Sequence, residues 1–270
     1  MTVERKLLGV NPSGVGSQAT NVADVFSTYL YDGTGAVQNI INNINLVDEG
    51  GMVWIKARNN TFGHAITDST SGFQDWIHPD TALAAQTSTV GDITGVDFDG
   101  FTLGADDQSN VNTSAVATSF ASWTFRNSPK FFDVVTWTGN GVAGREIAHG
   151  LGGDVGMMLV KCTSATRHWP VYHKDTGGTK FGYLNLTMDF PSDTTLWNNT
   201  APTDTVFTVG DADVTNDSEE TYVAYLFADN SAEAADDQII KCGSFTSNSA
   251  NQNIDLGWEP QFVLIKSTSH

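Results

Sequence analysis

The side chains best suited to chemistry in this sequence are carboxylates. Asp68 and Asp175 stand just ahead of Gly72 and Gly177, and a converging pair of that kind could cleave a glycosidic bond, the work of a polysaccharide depolymerase. The two fall in different stretches of chain, however, and the sequence gives no reason for them to meet. Turn-capping aspartates are the ordinary reading. The clusters Asp97-Phe98-Asp99, Asp106-Asp107 and Asp211-Ala212-Asp213 could offer oxygens to a hard cation. None follows a recognised calcium-loop signature, so solvated loops and no cofactor are expected, with a structural Ca²⁺ ion as the alternative. The histidines, His64, His78, His149, His168, His173 and His270, show no helical metal spacing. His168 and His173 flank an aromatic strand, where a half-buried turn or an interface is the commoner role. No Gly-x-Ser-x-Gly elbow stands between a strand and a helix, and Gly33-Thr34-Gly35 and Gly139-Asn140-Gly141 are too short for a phosphate loop and read as hairpin turns. The chemistry points away from an enzyme.

The elements that would position these residues repeat. Gly51-Met52-Val53-Trp54-Ile55-Lys56 returns as Gly156-Met157-Met158-Leu159-Val160-Lys161 and again as Gln261-Phe262-Val263-Leu264-Ile265-Lys266. The lysine spacings 161 − 56 and 266 − 161 both equal 105, and a fixed period decides architecture before any local reading. Leu46, Leu151 and Leu256 keep the same interval. The nearly unbroken apolar character of the lysine-ended strand predicts a central strand covered on both faces. Each copy opens on a β-rich run entering a turn, at Phe26–Tyr31, at Val134–Trp137 and at Gly243–Thr246. Each full copy closes with two strands, Phe101–Gly104 then Phe120–Phe125, and Phe207–Gly210 then Tyr222–Phe227. Their recurring aromatics are expected on one face of a sheet, packed as core in preference to an exposed sugar-stacking stripe.

Six or seven strands per copy, with turns throughout, predict an all-β chain of tandem β-sandwich repeats of about 105 residues behind an extended N-terminal arm. The expected divisions are an arm at residues 1–25, repeats at 26–131 and 132–240, and the start of a truncated third repeat at 241–270. Two or three strands cannot bury a face of their own, so a fragment of a longer protein is expected, with last strands that complete a neighbour's sheet as the alternative. The arm contains the turn-rich Asn11–Ser17 and has no periodic pattern.

Charge narrows the function classes. Thirteen Lys and Arg against 31 Asp and Glu give a formal charge of −18, which repels nucleic-acid backbones and anionic membranes. No apolar run approaches a membrane span or a signal peptide, and Cys162 and Cys242 fit no disulfide framework.

From residue 26 onward the chain resembles a family of repeat domains found in bacteriophage tail-fibre and other tail proteins, of the marine and cyanobacterial phage type. The likeness rests on Phe26–Tyr31 with its glycine turn, Gly50–Lys56, Phe132–Gly141, His149–Gly152, Trp197–Pro202 and Tyr222–Ala228. The resemblance implies a virion structural protein, assembled in the host cytoplasm and released by lysis. Its N-terminal arm, here Arg5, Lys6, Leu7, Leu8 and Val10, would attach to other tail proteins. Fibres of this kind are usually homotrimers, with the host surface receptor bound by distal parts. It supplies no catalytic residues. The alternative function is a host-glycan-binding module that stacks sugars on Trp54, Trp123, Trp137, Trp169 or Tyr225.

Overall fold

The computed structural model describes residues 20–87, 92–105 and 111–269. The proposed attachment residues Arg5, Lys6, Leu7, Leu8 and Val10, along with Asp106, Asp107 and His270, lie outside them. The described residues form an all-β structure of several antiparallel sheets with very little helix.

In chain order the elements are α1 (Val22–Val25), β1 (Phe26–Asp32), β2 (Gln38–Ile41), β3 (Gly51–Ala57), β4 (Ala65–Asp68), β5 (Asp75–Trp76), β6 (Gln86–Thr87), β7 (Ile93–Asp97), β8 (Gly100–Leu103) and β9 (Ser119–Arg126). They continue as β10 (Phe132–Thr138), β11 (Arg145–Ala148), β12 (Val155–Cys162), β13 (Pro170–His173), β14 (Gly182–Tyr183), α2 (Thr194–Trp197), β15 (Val206–Val209), α3 (Asp213–Asn216) and β16 (Thr221–Ala228). Residues 22–25, expected in the extended arm, instead make one helical turn. Asn21 caps it through its side chain, and Val25 is fully buried.

Two large sheets have matching strand orders, β1-β9-β3-β4 and β10-β16-β12-β13-β14. The smaller sheets are β2-β8-β7, β11-β15 and β5-β6. The lysine-ended strands β3 and β12 lie inside their sheets and are buried along nearly their whole length, which explains their unbroken apolar sequence. Alternation assigns their two faces to different cores. Val53 and Ile55 pack with Ile40, Phe101 and Leu103 of β2 and β8, whereas Met52 and Trp54 enter a central cluster with Phe132, Leu159 and Tyr225. On β12, Met158 and Val160 pack with Phe207 and Val209 of β15. The two large sheets therefore face each other, and each carries its smaller sheet on the outside.

Three expectations are corrected. The aromatics of the closing strands do not share one face. Phe120 joins the outer core of the first half while Phe125 joins the central cluster, and Tyr222 and Tyr225 divide in the same way. A strand covered on both sides has two apolar faces to fill. Second, the glycine turns after β1 and β10 are not hairpins. β1 pairs with β9 and β2 with β8, so the chain crosses from one sheet to the sheet that faces it, and β10 and β11 repeat this. Third, no strand forms in residues 239–269. Gln261–Lys266 lacks the neighbours that hold β3 between β4 and β9.

Candidate functional site: the junction of the two large sheets

The junction is built from β4, β9, β10, β12 and β16, whose inward residues are large and aromatic. Phe125 lies 5.3 Å from Phe132 and 5.5 Å from Phe227, ring centre to ring centre. Polar groups cross the same interface. The Tyr225 hydroxyl donates to Asp68 Oδ2 at 2.5 Å, and both residues are buried. Burial, then the Asp68 charge and hydrogen bond, push the Tyr225 hydroxyl well above its ordinary pKa. The other Asp68 oxygen caps the turn after β4, accepting from the amides of Thr70 and Ser71. Asp68 is thus a turn-capping aspartate, as its sequence context predicts, with an additional partner from β16. Asp175 is exposed in the turn after β13, where its amide donates to His173 Nδ1.

Trp169 is fully buried, and its indole N–H donates to the His78 carbonyl across the junction. Trp54 is buried, donates to His64 Nδ1 at 2.9 Å and packs edge-on against half-buried Trp123. Trp137 belongs to the outer core of the second half and donates to the Thr215 carbonyl. Of the five aromatics considered for sugar stacking, Trp54, Trp137, Trp169 and Tyr225 are buried, and Trp123 is covered on one side by Trp54 and Phe262. Burial lowers the His64 pKa, with Asp80 opposing and Lys56 reinforcing the shift.

The lysines that end the repeated strands turn inward to carbonyls. Lys56 donates to Ala57 and Asn60, and Lys161 to Arg167 and Ala82. Lys161 is wholly enclosed, and burial is the chief cause of a pKa lowered to about 8. A cavity of about 140 Å³ lies at the junction, lined by Asp68, Ser71, Ile77, Thr136, Thr163 and Val223. That is well below the roughly 300 Å³ at which small-molecule sites begin.

Among the described residues, the candidate cation ligands Asp97, Asp99, Asp211 and Asp213 do not gather into one group. Asp97-Phe98-Asp99 forms the turn between β7 and β8. Asp213 pairs with Arg167 at 3.0 Å, and Asp211 is exposed. Among the described residues, no group of three or more His, Cys, Asp or Glu side chains gathers that could hold a metal ion. His168 Nδ1 contacts the Asn185 side-chain amide, 17 residues on, and His173 Nδ1 accepts from Asp175 N within the turn after β13. Both cysteines are free thiols, and burial pushes Cys242 up to about 12.

Sequence reasoning missed a pair of buried asparagines. Asn112 Nδ2 donates to the Ala36 and Gly104 carbonyls, and its Oδ1 accepts from Thr34 N. Asn216 Nδ2 donates to the Val142 and Gly210 carbonyls, and its Oδ1 accepts from Asn140 N. Each holds the crossing between a large sheet and its small one. The available signal was their spacing, 216 − 112 = 104, close to the period of the lysine strands.

A family described as "Domain of unknown function (DUF7483)" matches residues 21–270, and the chain belongs to that family. Comparison with curated proteins and with solved structures finds no match.

Proposed function

We propose that this chain is a structural segment of a bacteriophage tail appendage, made of tandem β-sandwich units of about 105 residues behind an N-terminal attachment arm. The units are residues 26–131 and 132–240, followed by the start of a third. The observation that carries the reading is where the aromatics go. Phe125, Phe132, Trp169, Tyr225 and Phe227 pack in one cluster shared by the two halves. Side chains that could have made a ligand surface instead fasten one unit to the next, which supports an architectural role over a catalytic one. Matched positions support the tandem organisation. Tyr31 and Trp137 each bond the carbonyl ahead of the bracketing asparagine, at Val111 and Thr215.

The mechanism is associative, with no reaction and no cofactor. The arm, through Arg5, Lys6, Leu7, Leu8 and Val10, docks to a tail protein, and distal parts meet the host surface receptor. The charge of −18 disfavours anionic partners such as nucleic acid. Among the described residues, no helix is long and apolar enough to cross a membrane. A three-fold assembly belongs to this reading, built either from three chains or from three units of one chain. The test is immunogold labelling of purified particles with an antibody raised against residues 132–240. Gold at the tail is expected, and gold absent from the particle would overturn the assignment.

A further inference from the structure

Three positions one period apart converge on a single cluster. Met52 is buried in the hydrophobic core between the two large sheets, and part-buried Met157 and Phe262 pack against the same core. Phe26 and Phe132, which begin β1 and β10, also belong to this core, and part-buried Ile240 packs against it and against the outer core of the second half. Two strands face to face would bring two equivalents together. Three meeting in one place describe an axis.

The contacts between copies repeat in the same sense. Ala85 N donates to the Thr163 carbonyl at 2.8 Å, and Phe190 N donates to the Thr268 carbonyl at 3.0 Å. Donor and acceptor both advance by one period, since 190 − 85 and 268 − 163 equal 105. Lys161 reaches back to the Ala82 carbonyl, and Lys266 reaches back to Leu186. Residues 240–269 thus sit on the second unit much as the second sits on the first. They also return to the first. Phe262 lies within 6.3 Å of the rings of Phe26, Trp54, Trp123 and Phe125, and Thr28 Oγ1 donates to the Gln261 carbonyl. The first-to-second contact recurs from second to third, and a separate set of contacts brings the third copy against the first, as units arranged about a common axis require.

The third copy also presents the matching face. Phe262 is turned inward, whereas Val263 and Ile265 are 54% and 69% exposed. Their equivalents Val53 and Ile55 are fully buried beneath a small sheet, and no such sheet covers residues 263 and 265 among the described residues.

We infer that this chain is organised as a single-chain pseudo-trimer, with two full units and residues 240–269 opening the third. Its units pack head to tail about one pseudo-three-fold axis through the central cluster, and the surface of Phe26, Trp54, Trp123 and Phe125 is the seat for the third unit. The inference rests on the tandem-unit reading and is independent of the tail assignment. Three-fold symmetry then comes from successive units of one polypeptide, here two full units and the opening residues 240–269 of a third, without three chains.

Hydrogen exchange on the full chain and on Phe262→Asp tests it, because two amides report on the two contacts separately. In the parent chain both the Ala85 and Phe190 amides are protected. In Phe262→Asp, protection at Phe190 falls at least tenfold while Ala85 is unchanged. Ala85 protected with Phe190 exchanging freely in the parent would overturn the pseudo-trimer and leave the tandem reading intact. Both exchanging freely would overturn the tandem packing itself. A benzophenone amino acid at position 262 supplies a second readout. Cross-links within one chain to peptides holding Trp54 or Trp123 are expected, and cross-links only between chains would place the third seat in another molecule and overturn the proposal.

Discussion

The Tyr225 hydroxyl lies 2.5 Å from Asp68 Oδ2, joining the last strand of the second half to the turn that ends β4 in the first. It is a polar tie inside an otherwise apolar interface. Tyr225→Phe removes the donor and leaves a buried carboxylate oxygen without it. The expected loss is about 1–3 kcal/mol, since an unmet buried acceptor costs more than a hydrogen bond contributes. Urea denaturation measures it, and an unchanged midpoint would show that Asp68 is satisfied by its own turn.

The bracketing asparagines make a paired prediction. Asn112→Ala and Asn216→Ala each strip an amide that ties a large sheet to its small one. Each substitution should cost about 2–4 kcal/mol, since one buried carbonyl (Gly104 or Gly210) and one part-buried carbonyl (Ala36 or Val142) lose their donor at once. The two costs should agree within about 1 kcal/mol if the brackets are equivalent. A loss at one position alone would break the equivalence.

At Gly139 a Cβ would sit 1.9 Å from the Asp217 carbonyl oxygen. Gly139→Ala must displace backbone at the crossing and should cost at least about 3 kcal/mol. Gly177 has open space around it, but its φ of +69° is left-handed, so Gly177→Ala should cost about 1 kcal/mol. Thermal melts rank the two, and a reversed order would contradict the packing at Gly139.

Lys161 fixes a pH dependence. Its folded pKa is lowered to about 8, chiefly by burial, against roughly 10.4 when unfolded. Between those values the unfolded chain holds a proton that the folded chain has released, so stability rises with pH. Relative to Lys161→Gln, the parent should gain on the order of 1–2 kcal/mol between pH 7 and pH 9.5. Above pH 10 the buried phenol of Tyr225, whose pKa is raised, works in the opposite sense, because the unfolded chain ionises first. Melting curves for the two proteins that run parallel from pH 7 to 9.5 would contradict the enclosure of Lys161.

The sequence carried the all-β class, the central covered strands and the capping role of Asp68, because these depend on neighbours along the chain or on burial of every position in a strand. The division of aromatics between two faces was legible in principle. Phe120 and Phe125 are five residues apart, an odd interval that sends them to opposite sides of β9. What hid it was the unknown second layer. The crossings after β1 and β10 resembled hairpins because a glycine turn looks the same whether the next strand joins its own sheet or the facing one. Asn112 and Asn216 were missed for a related reason, since their partners lie up to 76 residues away in sequence.

The central claim is structural service in a phage tail, and cryo-EM of an intact particle that carries this chain tests it most directly. The account predicts tail density that fits residues 20–269 as head-to-tail units about a local three-fold axis, with one chain supplying all the units around it. A particle whose tail lacks this density, with the chain recovered as a free protein holding a ligand in an open cleft, would contradict it.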